Sequence, residues 1–141
     1  MRFWDSSAVV PLINQEESTS AMRAILGEDA TVIVWAMTSL EVTSALWRRH
    51  RAGELTESAR ATAAELLAGL EANWSVAIDV GEVMTRARRV LAAHALRAAD
   101  AAQLAAALVC CRERTDNLYF VTLDKRLAEA ARREGLRVLP E

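Results

Sequence analysis

Five short apolar runs, separated by stretches of helical character, constrain this chain's fold more than any other feature of its sequence. The runs cover residues 2–4, 31–36 (TVIVWA), 74–78, 118–122 (LYFVT) and 136–139. Their β-branched and aromatic content reads as buried strand. Between them the spacing predicts helices over 6–14, 18–26, 38–51, 57–72, 82–93, 98–114 and 125–134. Pro11 limits the first to a short or bent helix, and Gly27, Gly53 and Gly135 mark three helix ends. The stretch 98–114 is apolar on nearly every face and belongs at the centre of the molecule. Strands alternating with helices build a central, mostly parallel sheet flanked by helices, a three-layer α/β/α architecture. The 141 residues suit one domain over 1–141, with few glycines and prolines to interrupt it.

Several function classes are disfavoured at once. With 17 basic and 19 acidic residues the net charge is −2, so nucleic acid would not be held by global charge. Cys110 and Cys111 are adjacent, with no metal spacing and no disulfide framework, which points to a reducing compartment. The opening MRFWDSS carries no apolar signal core, and no apolar run approaches the roughly 18 residues of a membrane span. The expected location is the cytoplasm, with no membrane partner.

Four acids stand out by context. Asp5 and Asp124 each follow a strand and precede a helix, and Asp100 lies near a helix start. The carboxyl ends of parallel strands and the adjoining helix starts form the usual ligand crevice. Each acid also has an ordinary explanation. Asp5 and Asp124 serve as helix N-caps, Thr38 to Glu41 matches a capping box, and Asp100 with Gln103 is a variant of it. Against these, Asp100 shares a helical face with Leu96, Leu104 and Ala107, and Glu41 lies between Leu40 and Val42. A carboxylate on an apolar face is costly unless it is paired, protonated or metal-bound. Within the helices 38–51 and 98–114 no lysine or arginine stands at helical spacing from either acid, which favours a cation from outside.

The segments FWDSSAVVPL, TSLEVTSAL, LRAADAAQLAAAL and FVTLDKRLAEAARREGLRVL, in this order, resemble PIN-domain ribonucleases, and most closely the VapC-type toxins of toxin–antitoxin pairs. The resemblance covers nearly the whole chain and implies a PIN-like fold with acids gathered at one end. It implies that Asp5, Glu41, Asp100 and Asp124 are the catalytic, metal-holding acids. Thr122 matches a hydroxyl residue that supports the metal or its water, and Ser7 is placed for a similar contact. The implied activity is endoribonucleolytic, leaving a five-prime phosphate and a three-prime hydroxyl. The implied partners are RNA, a cognate VapB-type antitoxin and a second copy of the chain in a homodimer.

The chemistry agrees with the residue types. Mg²⁺, with Mn²⁺ as a substitute, prefers carboxylate oxygens, whereas a site without Cys or His ligands argues against zinc. His50 and His94 match no catalytic motif; His50 reads as a helix-end cation. Rim cations for RNA are expected from Arg48, Arg49, Arg51, Arg97, Lys125 and Arg126. The four tryptophans, Trp4, Trp35, Trp47 and Trp74, read as core or interface, with Trp47 the one for a partner, on a helix 38–51 able to line an antitoxin groove. The competing readings are a non-catalytic PIN-like binding module and, less well matched, an aspartate phosphatase or phosphoryl receiver. The last two lack a DxD motif after Asp5 and an acceptor aspartate after TVIVWA.

Overall fold

The computed structural model describes residues 1–141, and the expected alternation is present throughout. Strand β1 (Arg2–Trp4) leads into helices α1 (Ser6–Ile13) and α2 (Thr19–Glu28), then β2 (Ile33–Trp35). Helices α3 (Thr38–Arg51) and α4 (Glu57–Glu71) precede β3 (Ser75–Ala77), and α5 (Val80–Ala93) and α6 (Ala98–Cys110) precede β4 (Tyr119–Val121). Helix α7 (Lys125–Arg133) and β5 (Arg137–Leu139) close the chain.

The strands form one sheet in the order β3-β2-β1-β4-β5, and every pairing is parallel. Phe3 lies opposite Ile33 on one side and Phe120 on the other. Side chains alternate across the sheet, so each strand feeds two cores. Phe3 and Phe120 stack at 5.8 Å on the face covered by α5, α6 and α7. Trp4, Val34 and Val121 face the other way, against α1, α2, α3 and α4. Helix α6 is the most buried, as its all-round apolar sequence requires: Ala101, Leu104, Ala105, Ala106, Ala107 and Leu108 are fully enclosed.

Two helix ends differ from expectation. Helix α6 stops at Cys110, because Arg112 and Glu113 take left-handed φ values of 51° and 58° and turn their N–H groups back onto Val109 and Leu108. No glycine announces that stop. Helix α2 runs through Gly27 to Glu28, since the buried Arg2 guanidinium satisfies the Ile25 carbonyl and pairs with Glu28 at 2.8 Å. An anchored terminus outlasts a helix-weakening glycine. Gly53 and Gly135 do end their helices, with φ of 77° and 87°. No helix is long and apolar enough to cross a membrane.

Because the sheet rests on α6, truncating Leu104 there should be felt globally. Leu104→Ala is expected to cost about 2–5 kcal/mol, read as a lower denaturant midpoint at unchanged slope.

Candidate active site

The strand order fixes where a site belongs. From β1 the chain builds outward through β2 to β3, then crosses back to place β4 on β1's other side. The loops after β1 and β4 therefore diverge and leave a crevice at their carboxyl ends. Asp5 follows β1 directly, and Thr122 to Asp124 follow β4.

Asp5 is held at this junction from several directions. Its backbone N–H donates to the Val121 carbonyl at 2.9 Å, which continues the β1–β4 ladder into the site. Its Oδ2 accepts from the Ser7 N–H at 3.2 Å, from the Ser7 hydroxyl, and from the Thr122 hydroxyl at 2.9 Å. Its Oδ1 has only the Ser6 hydroxyl at 3.5 Å. One carboxylate oxygen is thus fully engaged by the protein and the other is nearly free. Thr122 Oγ1 also accepts the Asp124 N–H at 3.1 Å, and Ser7 Oγ accepts the Leu123 N–H at 3.0 Å. The two hydroxyls therefore bind the β4–α7 turn to the first acid. Asp124 caps α7, its Oδ1 accepting from the Leu127 N–H at 2.9 Å.

The two capping boxes read from the sequence do not form, although Asp100 sits in the first turn of α6 and is engaged by the Arg97 backbone N–H. The N-cap of α3 is Met37, which has no capping side chain, and Glu41 does not reach back to Thr38. Its Oε2 instead accepts from the Ser6 hydroxyl at 2.9 Å and its Oε1 from Gln103 Nε2 at 3.3 Å. The N-cap of α6 is Arg97, also without a side-chain cap, so Asp100 and Gln103 form no capping box. Gln103 points inward to Thr38 and Glu41, and Asp100 faces a cleft.

That cleft has a volume of about 1320 Å³, and Glu41, Asp100 and Asp124 line it with Ser6 and Ser7. Asp5, only 3 % exposed, lies beneath the two serines and is not part of the open lining. Four acids from four separated segments are therefore gathered around one depression, although no three of them close into a ready chelating group. Hydroxyl and amide donors occupy part of the lone pairs of Asp5 and Glu41.

The electrostatics carry the same message. Burial is the largest influence on Asp5 and pushes its carboxyl above the ordinary value, against the hydrogen bonds from Ser7 and Thr122; nearby Asp100 adds to the rise. Burial likewise raises Glu41, opposed by Ser6 and Gln103 and assisted by Asp5 and Asp100. Asp100 is raised by burial and by Asp124, with Arg97 as the only opposing charge. None of the four acids joins an ion pair within 4.0 Å, whereas seven carboxylates elsewhere do. Free of ion pairs and offering only oxygens, this donor set suits the chemistry of a hard divalent cation.

Cations form the rim. Arg48, Arg49, Arg97, Lys125 and Arg126 line the cleft. Arg49 is committed to Glu16, and Arg51 lies outside, beside the Trp47 ring. Neither histidine reaches the cleft: His50 bonds the Leu55 carbonyl and His94 bonds Glu134. Trp4 and Trp35 are core, Trp74 packs against it, and Trp47 is the exposed one, with Arg60 4.1 Å above its ring. Ser6 is a site neighbour without a role in the sequence analysis, and Thr38 and Gln103, expected there as capping-box partners, face Glu41's side of the site instead. The available signals were a second hydroxyl directly after Asp5 and a lone amide in an otherwise apolar helix.

An all-parallel sheet with acids gathered at its switch point defines an α/β domain with a ligand crevice, and comparison with known proteins gives it a family. The PIN domain profile matches residues 2–133. The chain is 32% identical over 141 residues to Ribonuclease VapC45 of Mycobacterium tuberculosis, covering 98% of this chain and 94% of the relative. It belongs to the PIN-domain family and, within it, to the VapC group. Among solved structures, FitAcB from Neisseria gonorrhoeae superposes with a TM-score of 0.66 at 15% identity, covering 98% of this chain and 96% of that one. VapC20 of Mycobacterium tuberculosis, described as a sarcin-ricin loop cleaving toxin, gives 0.64 at 15% identity, covering 92% and 95%. At that identity the structural likeness speaks for the fold.

The raised carboxyls have a measurable cost. A folded-state value above the unfolded one means the folded chain binds more protons in that window, so stability falls as pH rises through it. Asp100→Asn is therefore expected to raise the melting temperature of metal-free protein at pH 7. The advantage should shrink as pH drops through the carboxylate range, as followed by thermal unfolding at several pH values.

Proposed function

We propose that the chain is a Mg²⁺-dependent endoribonuclease, with Mn²⁺ able to substitute, acting as the toxin of a toxin–antitoxin pair. One observation carries this reading: three carboxylates line a single cleft at the switch point of a PIN fold, the buried Asp5 lies beside them, and none of the four closes an ion pair. The VapC45 relative is named a ribonuclease, and VapC20 is described as a sarcin-ricin loop cleaving toxin. The ligands would be Asp5 through Oδ1, its less engaged oxygen, together with Glu41, Asp100 and Asp124. A bound divalent ion supplies an acidified water and offsets charge at the scissile phosphate.

The chain's own residues do the remaining work. Ser7 and Thr122 saturate Asp5 Oδ2, so that carboxylate keeps one orientation and presents the other oxygen. Thr122 also holds the Asp124 backbone and fixes the distance between first and fourth acids. Arg48, Arg97, Lys125 and Arg126 line the cleft and have no ion-pair partner, so they are available to phosphates without drawing on a basic surface. Cleavage on this scheme leaves a five-prime phosphate and a three-prime hydroxyl. In the cell the protein would act in the cytoplasm as a homodimer, silenced by a VapB-type antitoxin.

Asp5→Asn and Asp100→Asn are each expected to lower RNA cleavage at least about 100-fold while the protein stays folded. In wild type, Mn²⁺ at 100 times its Kd should raise the melting temperature by roughly 5–10 °C; both variants should lose most of that gain. Full cleavage by either purified variant would refute the assignment. Absence of any Mn²⁺ stabilisation in wild type would favour a PIN-like binding module. The rim is tested separately: Lys125→Ala with Arg126→Ala should raise KM for RNA, shallow its salt dependence and leave kcat near the wild-type value.

A further inference from the structure

Gln103 is the largest polar side chain that is wholly enclosed, at 0 % exposure, and Asp100 is the only other polar residue of its alanine-rich helix. An unsatisfied amide at that depth would be costly, so its contacts explain its presence. Nε2 donates to Thr38 Oγ1 at 3.1 Å and to Glu41 Oε1 at 3.3 Å. Oε1 receives a longer contact from the Thr38 hydroxyl at 3.5 Å. An ionised carboxylate only accepts, so Glu41 dictates which end of the amide faces it. Thr38 is itself fully buried at the start of α3, one turn before Glu41. Gln103 follows Asp100 by three residues and shares its side of α6, so one helix presents an acid to the cleft and an amide to a neighbouring acid.

We infer that Gln103 is a positioning residue for Glu41: its amide, braced against Thr38, fixes the carboxylate from behind while the Ser6 hydroxyl fixes it from the front. The two donors take one oxygen each, Gln103 the Oε1 and Ser6 the Oε2. Neither donor carries charge, so Glu41 is oriented without being neutralised and remains available to a cation. An arginine at residue 103 would orient the acid equally well but would compete with a metal. The catalytic consequence rests on the metal-site reading above; the positioning itself does not.

The test uses the metal-free full chain and Gln103→Met, which keeps the volume and removes the donor. Side-chain couplings of ¹³C-labelled Glu41 should report one rotamer in wild type and averaging in the variant. Unchanged Glu41 couplings in a folded variant overturn the inference. If Gln103→Met fails to fold, Glu41→Ala reads the same contact from the cleft side without touching the core. The Gln103 side-chain amide protons should then shift upfield, and an unmoved amide overturns the inference. A Mn²⁺ titration adds the consequence: Gln103→Met should weaken binding about 10–100-fold in the wild-type background and no further on Glu41→Gln. Equal losses on both backgrounds would mean that Gln103 acts by packing alone, and the inference falls. If wild type binds no Mn²⁺ while Gln103→Met still frees Glu41, the metal reading fails and the positioning role stands.

Discussion

The hydroxyl of Thr122 touches both ends of the site, donating to Asp5 and accepting the backbone N–H of Asp124. Asp5 ends β1 and Thr122 ends β4, and these strands are neighbours only because the chain crosses the sheet to make them so. The Asp5 N–H to Val121 bond extends that pairing one step beyond the last ladder rung. The site is therefore a prolongation of the strand pairing rather than a set of side chains on loose loops. Ser7 doubles the link by bridging Asp5 to the Leu123 backbone. Rigid elements locate reactive groups better than loops do, and here the sheet itself supplies the rigidity.

This arrangement opposes the stability of the fold. Burial and mutual repulsion raise three of the four carboxyls, and no lysine or arginine closes on any of them. Elsewhere the molecule pairs its charges: Arg86 spans Glu113 and Glu134, and His94 adds a second contact to Glu134. Selection for stability alone would have paired the acids of the cleft in the same way. Neutral donors meet Asp5 and Glu41 instead, namely two serines, one threonine and one glutamine. Such donors hold orientation while leaving the net charge for a ligand to meet.

The architecture was legible from the sequence because alternating strand and helix signals leave few ways to connect a sheet. The boundaries of α3 follow directly from the Thr38 and Gly53 signals, and α7 stops short of Gly135. Helix α6 ends early by left-handed turns at Arg112 and Glu113, residues that carry no such signal. The four acids were visible as types in context, but local patterns misread two of them. The Thr38–Glu41 and Asp100–Gln103 spacings fit capping boxes, yet in space the two pairs answer each other across the α3–α6 contact. A spacing rule sees one helix at a time and cannot register a partner 62 residues away.

The sheet order also governs when the site comes into being. Strand β1 is the first segment of the chain and occupies the centre of the sheet, flanked by β2 and β4. Phe3 meets Phe120, so the first strand must wait until most of the sequence is available before its second edge is covered. Loops of that length close slowly and contribute little until they close. An emerging polypeptide thus has Asp5 and Glu41 long before Thr122 and Asp124 arrive to orient them. The constellation stays unfinished until the segment carrying Thr122 and Asp124 has been added to the sheet.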